Sequence, residues 1–372
     1  MGTNDFSTEL LSMWLASTGI QPDKMRLLLE QFGSPEAVAE GWQQQREPFL
    51  PLLNERELSL LKRRFDEIKN SGWDARIRQF GIHAVTIVDE DYPERIKNIP
   101  APPAILFYQG DLSALTGKCL AMVGSRRASY AGLQATEKIA CDLSHAGVRI
   151  VSGFAYGIDT SAHKGCLNGP SPTAAVLGCG LNFNYPAENA DLKKKVLDRG
   201  GVMISEYILD EKPLGPHFPV RNRIISGLSD AVVLMEAQIH SGSMTTVNHA
   251  AEQNRDVFVY PGDPQSELCS ANHLLLREGA IYFTKAEDIL EDMKWLDNKR
   301  NVGQNIDCST AEANLTETEK RILSALRPGA LGFDQLVDKT GLDAAGLLSH
   351  LTMMQIKGLV ESMPGKFYQV KQ

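Results

Sequence analysis

Lys118–Gly132 reads KCLAMVGSRRASYAG, and the fold turns on how this stretch is read. Cys119–Val123 is a short apolar run, the pattern of a strand buried on both faces of a parallel sheet. The run breaks at Gly124 into Ser-Arg-Arg-Ala-Ser, and a helix is expected from about Ser129, whose hydroxyl is placed to cap it. A strand that turns on a glycine into a helix aims backbone N–H groups and the positive end of the helix dipole out of the sheet edge. That is an anion-binding device. Arg126 and Arg127 add planar, permanently charged donors suited to phosphate oxygens. Gly124 and Gly132 stand eight residues apart, so the turn is not the G-x-G-x-x-G dinucleotide fingerprint. Taken alone, it also admits the plainer account of a βα loop with two solvated arginines.

The stretch does not stand alone. Apolar runs recur at 119–123, 148–151, 174–177, 202–204, 231–235 and 257–260, each pair separated by room for one crossover helix. This rhythm predicts a doubly wound, mainly parallel α/β sheet, in which ligands sit at the carboxyl ends of the strands. The turns at those ends are Gly124–Arg127, Ser152–Asp159, Gly178–Gly180, Ser241–Thr246 and Pro261-Gly262, with Phe218–Leu228 before the fifth run. Small residues crowd them, and Arg126, Arg127, Lys164, Arg221 and Arg223 fall in or beside them.

Five blocks make a resemblance specific: GSRR at 124–127, SGFAYGIDTSAHKG at 152–165, AVLGCGLNFNYPAEN at 175–189, FPVRNRIISGLSD at 218–230 and SGSMTTVNHAAEQNRDVFVYPG at 241–262. In this order, over roughly 80–290, the chain resembles the DprA/Smf family of DNA-processing proteins. The resemblance implies an extended Rossmann-like fold that binds single-stranded DNA, forms a homodimer through that domain, and helps load the RecA recombinase during natural transformation. Three positions depart from the family pattern. Tyr156 stands where an arginine is common, Gly215 where a lysine often precedes the FPVRNR block, and Ser270 where a glycine is frequent.

The expected site follows. Gly124, Ser125, Ser241, Gly242 and Ser243 should offer backbone N–H and hydroxyl donors to phosphates. Arg126, Arg127, Lys164, Arg221 and Arg223 should supply charge, Asn222 a polar contact, and Phe218 a ring for stacking a base.

The flanks carry different textures. Residues 1–75 read as a helical module, with Leu10, Leu11, Trp14 and Leu15 at helical spacing and Ser34-Pro35 as an N-cap and first helical residue. It resembles SAM-like and helix-hairpin-helix modules, with a packing role as the equal alternative. Residues 76–292 form the Rossmann domain, 293–314 a polar linker, and 315–372 a winged-helix-like module opened by the capping box Thr316–Glu319. In Asp343–Lys357 the charged and titratable residues are one Asp, one Lys and one His, so the module is expected to contact protein rather than read a DNA groove.

Composition sets the frame. The 372 residues are 43% hydrophobic and 23% charged, with a net charge of −8, so a nucleic-acid site must be a local basic pocket on an acidic body. The six cysteines, at 119, 141, 166, 179, 269 and 308, form no C-x-x-C pair, so reduced thiols are expected rather than zinc or disulfides. No apolar run approaches membrane-spanning length and Met1–Ser12 has no signal-peptide pattern, which makes a cytoplasmic location the expectation.

Catalysis is not expected. Asp159 and His163 are four apart on a helix, but no nucleophile is placed beside them, and no cofactor or metal motif occurs. The rival class is a nucleotide phosphoribohydrolase, an N-glycosidic hydrolase whose P-G-G-x-G-T-x-x-E loop would fall at SGSMTT and Glu252. The diglycine of that loop is missing, and paired arginines suit an extended polyanion better than a single phosphate.

Overall fold

A computed structural model of the chain describes residues 6–44, 47–296, 317–326, 331–356, 360–363 and 367–370. Most of the 293–314 linker and Thr316 of the capping box lie outside them. Two compact units emerge, Met1–Trp295 and Leu296–Gln372.

The first unit opens with five helices, α1 (Thr8–Ser17), α2 (Pro22–Phe32), α3 (Pro35–Gln44), α4 (Glu55–Ile68) and α5 (Trp73–Phe80). Local chemistry sets their ends: Ser34 Oγ accepts the Ala37 N–H, and Asn54 and Glu57 close a reciprocal capping box on α4. The strands follow as β1 (His83–Thr86), β2 (Ile105–Gly110), β3 (Cys119–Val123), β4 (Arg149–Ser152), β5 (Thr173–Leu177), β6 (Val202–Ser205), β7 (Ala231–Leu234), β8 (Asp256–Val259) and β9 (Ile281–Tyr282). The interleaved helices are α6 (Glu94–Lys97), α7 (Tyr130–His145), α8 (Ile158–Asn168), α9 (Ala190–Asp198), α10 (His217–Gly227), α11 (Ser243–Glu252), α12 (Ser270–Arg277) and α13 (Ala286–Asp292).

Among the described residues the sheet has nine strands in the order β1-β2-β6-β5-β4-β3-β7-β8-β9. The β1–β2 and β2–β6 pairs are antiparallel and the others parallel. The chain winds outward from β3 in one direction through β4–β6 and in the other through β7–β9, so β3 and β7 flank the topological switch point.

Alternation along the strands divides the core. Ala121, Val123, Val176, Ile204 and Leu234 pack with Ile224 and Ile225 of α10 and Val247 of α11. Leu120, Met122, Ile150 and Val233 point the other way, toward Ile139 of α7 and Ala162 of α8. The amino-terminal helices share a core with the sheet: Trp14, Leu28 and Phe65 belong to one cluster with Phe107, Leu177 and Met203. Trp14, fully buried, donates its indole N–H to Leu61 O at 3.0 Å. The surface of α5 is tied across by Arg76, whose two Nη groups meet Asp210 at 2.5 and 2.7 Å.

The second unit contains helices Glu317–Leu326, Phe333–Thr340 and Ala344–Ile356 and an antiparallel sheet in which Phe367–Val370 pairs with both Leu331-Gly332 and Val360–Met363. Ile322, Leu336, Leu347, Leu351, Met354, Val360 and Tyr368 form its core.

Candidate nucleic-acid interface

The switch point is built by backbone. After β3 the chain turns at Gly124, and Ser125 donates its N–H to Glu236 O, just past β7, at 2.6 Å. Ser125 O in turn accepts the N–H of Ile158 at the start of α8 at 3.2 Å. The close approach demands glycine at 157: φ is +76°, and a Cβ there would lie 2.3 Å from Ser125 O. Glu236 is 4% exposed, and its carboxylate receives the Ser129 N–H at 2.8 Å and the Ser129 hydroxyl at 2.6 Å. Ser129 Oγ also accepts from Gly132 N at 2.9 Å, the cap expected for α7. The Gly124–Ala128 loop is therefore clamped at both ends, with Arg126 and Arg127 exposed between them.

A cavity of about 860 Å³ opens beside this loop. Gly124, Ser125, Arg126, Arg127, Phe218, Arg221, Asn222, Ser241, Gly242 and Ser243 all line it, together with Asp159 and Tyr185. A concavity of similar size, about 870 Å³, lies at the β1–β2 edge, but Glu90, Asp91, Glu94 and Asp111 line it, the wrong sign for a polyanion.

The four expected α10 residues play different parts. Arg221 is 3% exposed, and its Nη1 donates to Gly153 O at 2.6 Å and to Val176 O, tying the ends of β4 and β5 together. Burial lowers its pKa to about 10, offset by attraction to Asp159, so it stays cationic at neutral pH. Asn222 positions rather than reaches outward. Its amide donates to Gly242 O at 3.1 Å and Thr245 Oγ1 at 2.5 Å, holding the Ser241–Ser243 turn at the start of α11, while its oxygen accepts Arg221 Nε at 3.2 Å. In that turn the hydroxyls of Ser241 and Ser243 are 2.6 Å apart. Phe218 is half-buried, with the Arg126 guanidinium 4.9 Å and that of Arg221 5.9 Å from its ring centroid.

Arg223 and Lys164 do not join this group, which corrects their expected placement. Residues two apart on a helix point to nearly opposite sides, so the α10 turn that aims Arg221 into the cavity aims Arg223 away. Its Nη2 pairs with Glu206 at 2.7 and 2.9 Å, and its Nε donates to Ala101 O at 2.9 Å. Lys164 sits exposed on α8, one residue round from the buried His163 face, and does not line the cavity.

The titratable pair on α8 is structural in its surroundings. His163 is fully buried, and its Nδ1 lies 2.8 Å from the Thr173 hydroxyl, which donates to Ile150 O at 2.7 Å; Nδ1 therefore carries the proton. Burial, with the nearby Arg221 charge, pulls its pKa down to about 3. Asp159 accepts the Ala155 N–H at 3.2 Å, and desolvation raises its pKa against the attraction of Arg221. Cys179 is buried and its thiol is pushed up to about 11, the behaviour of a packing residue. Among the described residues no group of three or more His, Cys, Asp or Glu side chains is placed to hold a metal ion, and no helix is long and apolar enough to cross a membrane.

Residues 83–294 match the family model described as DNA recombination-mediator protein A, and residues 309–366 match the DprA winged helix domain. The chain is 34% identical over 294 residues to Protein Smf of Escherichia coli (strain K12), an alignment covering 78% of each. It is 40% identical over 210 residues to DNA processing protein DprA of Streptococcus pneumoniae (strain ATCC BAA-255 / R6), covering 56% of this chain and 74% of the relative. The X-ray structure of S. pneumoniae DprA superposes with a TM-score of 0.66 at 33% identity, over 75% of this chain and 95% of that one. DNA processing protein A from Helicobacter pylori, described for its single-stranded DNA binding mode, gives 0.52 at 29% identity, over 57% of this chain and 95% of that one.

Proposed function

The chain belongs to the DprA/Smf family, and on that premise we propose that it binds single-stranded DNA at the β3–β7 switch point and passes the strand to a RecA recombinase. The observation that carries the reading is the convergence of two helix-opening turns, Gly124–Arg127 and Ser241–Ser243, on one cavity with cationic Arg221 in its wall. The exposed arginines meet phosphate oxygens, and the turns supply neutral donors to the same backbone. Phosphate contact without base-edge contact gives binding across sequences.

In this reading the protein protects incoming strands during transformation and recombination, works as a cytoplasmic homodimer through the Rossmann domain, and uses no cofactor and no catalysis. Asp159 is assigned a structural part, its charge attracting that of the buried Arg221. The second unit is assigned to protein contact: its helix Ala344–Ile356 carries no lysine or arginine.

Equilibrium titration with a fluorescent single strand, a duplex of the same sequence and a nucleoside monophosphate tests the proposal. Salt-sensitive binding of the single strand, with no free base released from the monophosphate, is the expected result. Base release without strand binding would put the protein with the N-glycosidic hydrolases instead.

A further inference from the structure

The ring that lies open in the cavity is not the one the sequence singles out. Phe218 is already engaged. Arg126 and Arg221 both stand over its ring, at 4.9 and 5.9 Å, and Tyr185 leans against it with centroids 5.6 Å apart and planes tilted by 31°. Its edge presses on the backbone of Gly178, where an added Cβ would sit 3.0 Å from Phe218 Cδ1. A ring so surrounded serves as a post for its neighbours.

Tyr185 is placed differently. It lines the same cavity and is 36% exposed, and among the described residues its hydroxyl has no hydrogen-bond partner. The loop that carries it is anchored on both sides. Before it, Leu181 is buried and its carbonyl accepts Lys193 Nζ at 2.6 Å. After it, Asn189 donates to Phe154 O at 3.1 Å and to Thr160 Oγ1 at 2.9 Å. One flank of the phenol rests on Phe218 while the rest opens to the cavity. Aromatic rings held this way beside a phosphate-binding loop are the platforms on which bases of single strands stack.

We propose that Tyr185 is the base-stacking residue of the site, taking one nucleobase of a strand whose phosphates lie on Arg126 and Arg127. The inference rests on the single-strand reading above and names the part of the strand that reading leaves unassigned. Stacking uses the π-face that every base has, so Tyr185 adds affinity without sequence preference.

The test compares an oligo-dT with an abasic oligonucleotide of the same length and charge. The wild-type protein, Tyr185→Ala, Tyr185→Phe and Tyr185→Trp are titrated with both at one salt concentration. Wild type should prefer oligo-dT by about five-fold or more. Tyr185→Ala should lose that preference through weaker oligo-dT binding, with abasic binding unchanged. Tyr185→Phe and Tyr185→Trp should keep it, and the indole introduced by Tyr185→Trp should change its fluorescence with oligo-dT and not with the abasic strand. Equal weakening of Tyr185→Ala on both strands would make the ring a support for the phosphate loop and overturn the proposal. So would an undiminished preference in Tyr185→Ala. Failure of the wild-type protein to bind either strand would overturn the single-strand reading itself, a result distinct from the other two.

Discussion

The guanidinium carbon of Arg126 stands 4.9 Å from the centroid of the Phe218 ring, so a charge on the β3 loop is held by a side chain from the first turn of α10. The two residues are 92 positions apart in sequence. Their meeting joins one wall of the cavity to the other, and a cation on an aromatic face gains about 0.5–2 kcal/mol there.

Phe218→Ala should therefore act through Arg126. Loss of the ring frees the guanidinium, and affinity for single strands should fall by about 0.5–2 kcal/mol. Phe218→Tyr or Phe218→Trp keeps the π-face and should restore most of it. Binding of an abasic strand is the discriminating readout, because a supporting role weakens it as much as it weakens oligo-dT.

Asn222→Asp keeps the shape of the side chain and removes the amide that donates to Gly242 O and Thr245 Oγ1. A carboxylate facing that carbonyl should cost about 1–3 kcal/mol of stability and loosen the Ser241–Ser243 turn. Thermal unfolding should show a lower midpoint, and strand binding should weaken at every salt concentration tested.

The buried His163 gives the protein a pH-dependent element. Its folded pKa of about 3 lies below the ordinary histidine value near 6.5, so between those limits the unfolded chain holds the extra proton. The stability it contributes is full above about 6.5 and is lost as pH falls toward 3. Asp159, raised by desolvation, contributes with the opposite sign as pH rises, so NMR is the cleaner probe. The ring protons of His163 should show no titration between pH 8 and 5; an inflection near 6.5 would show that the ring is not sealed from water.

A chain ending at Leu296 retains the whole Met1–Trp295 unit. With the cationic residues of the cavity all present, it should bind single strands within about threefold of the full chain. A loss of tenfold, about 1.4 kcal/mol, would give the second unit a direct part in DNA binding.

Much of this was legible in the residues. The six apolar runs fall on β3 to β8 because strands buried on both faces must be continuously apolar, and Ser129 caps α7 as its position suggested. Gly124–Arg127 and Ser241–Ser243 meet because the βα rhythm brings their strands to one edge. The phase of α10 was not legible. FPVRNR sets two arginines in one motif, and only the helix turns Arg221 inward while sending Arg223 to Glu206. Nor does a sequence show which ring is covered. Phe218 and Tyr185 both border small-residue turns, and their roles separate only when Arg126, Arg221 and Gly178 are seen around the phenylalanine. The burial of the amino-terminal helices against Phe107 and Leu177 likewise depends on long-range packing that no local period encodes.

The most direct test of the phosphate site is the salt dependence of single-strand binding in Arg126→Ala, measured beside Arg223→Met. If Arg126 and Arg127 each meet a phosphate, log affinity against log salt should slope at about −1.4 in the wild-type protein. Arg126→Ala should reduce that slope by about 0.7 and weaken oligo-dT and mixed sequences alike. Arg223→Met, which breaks the pair with Glu206, should lower stability by about 1–3 kcal/mol and leave the slope unchanged. An Arg126→Ala protein with wild-type affinity and slope would contradict the account, because the loop after β3 would then not be where the strand binds.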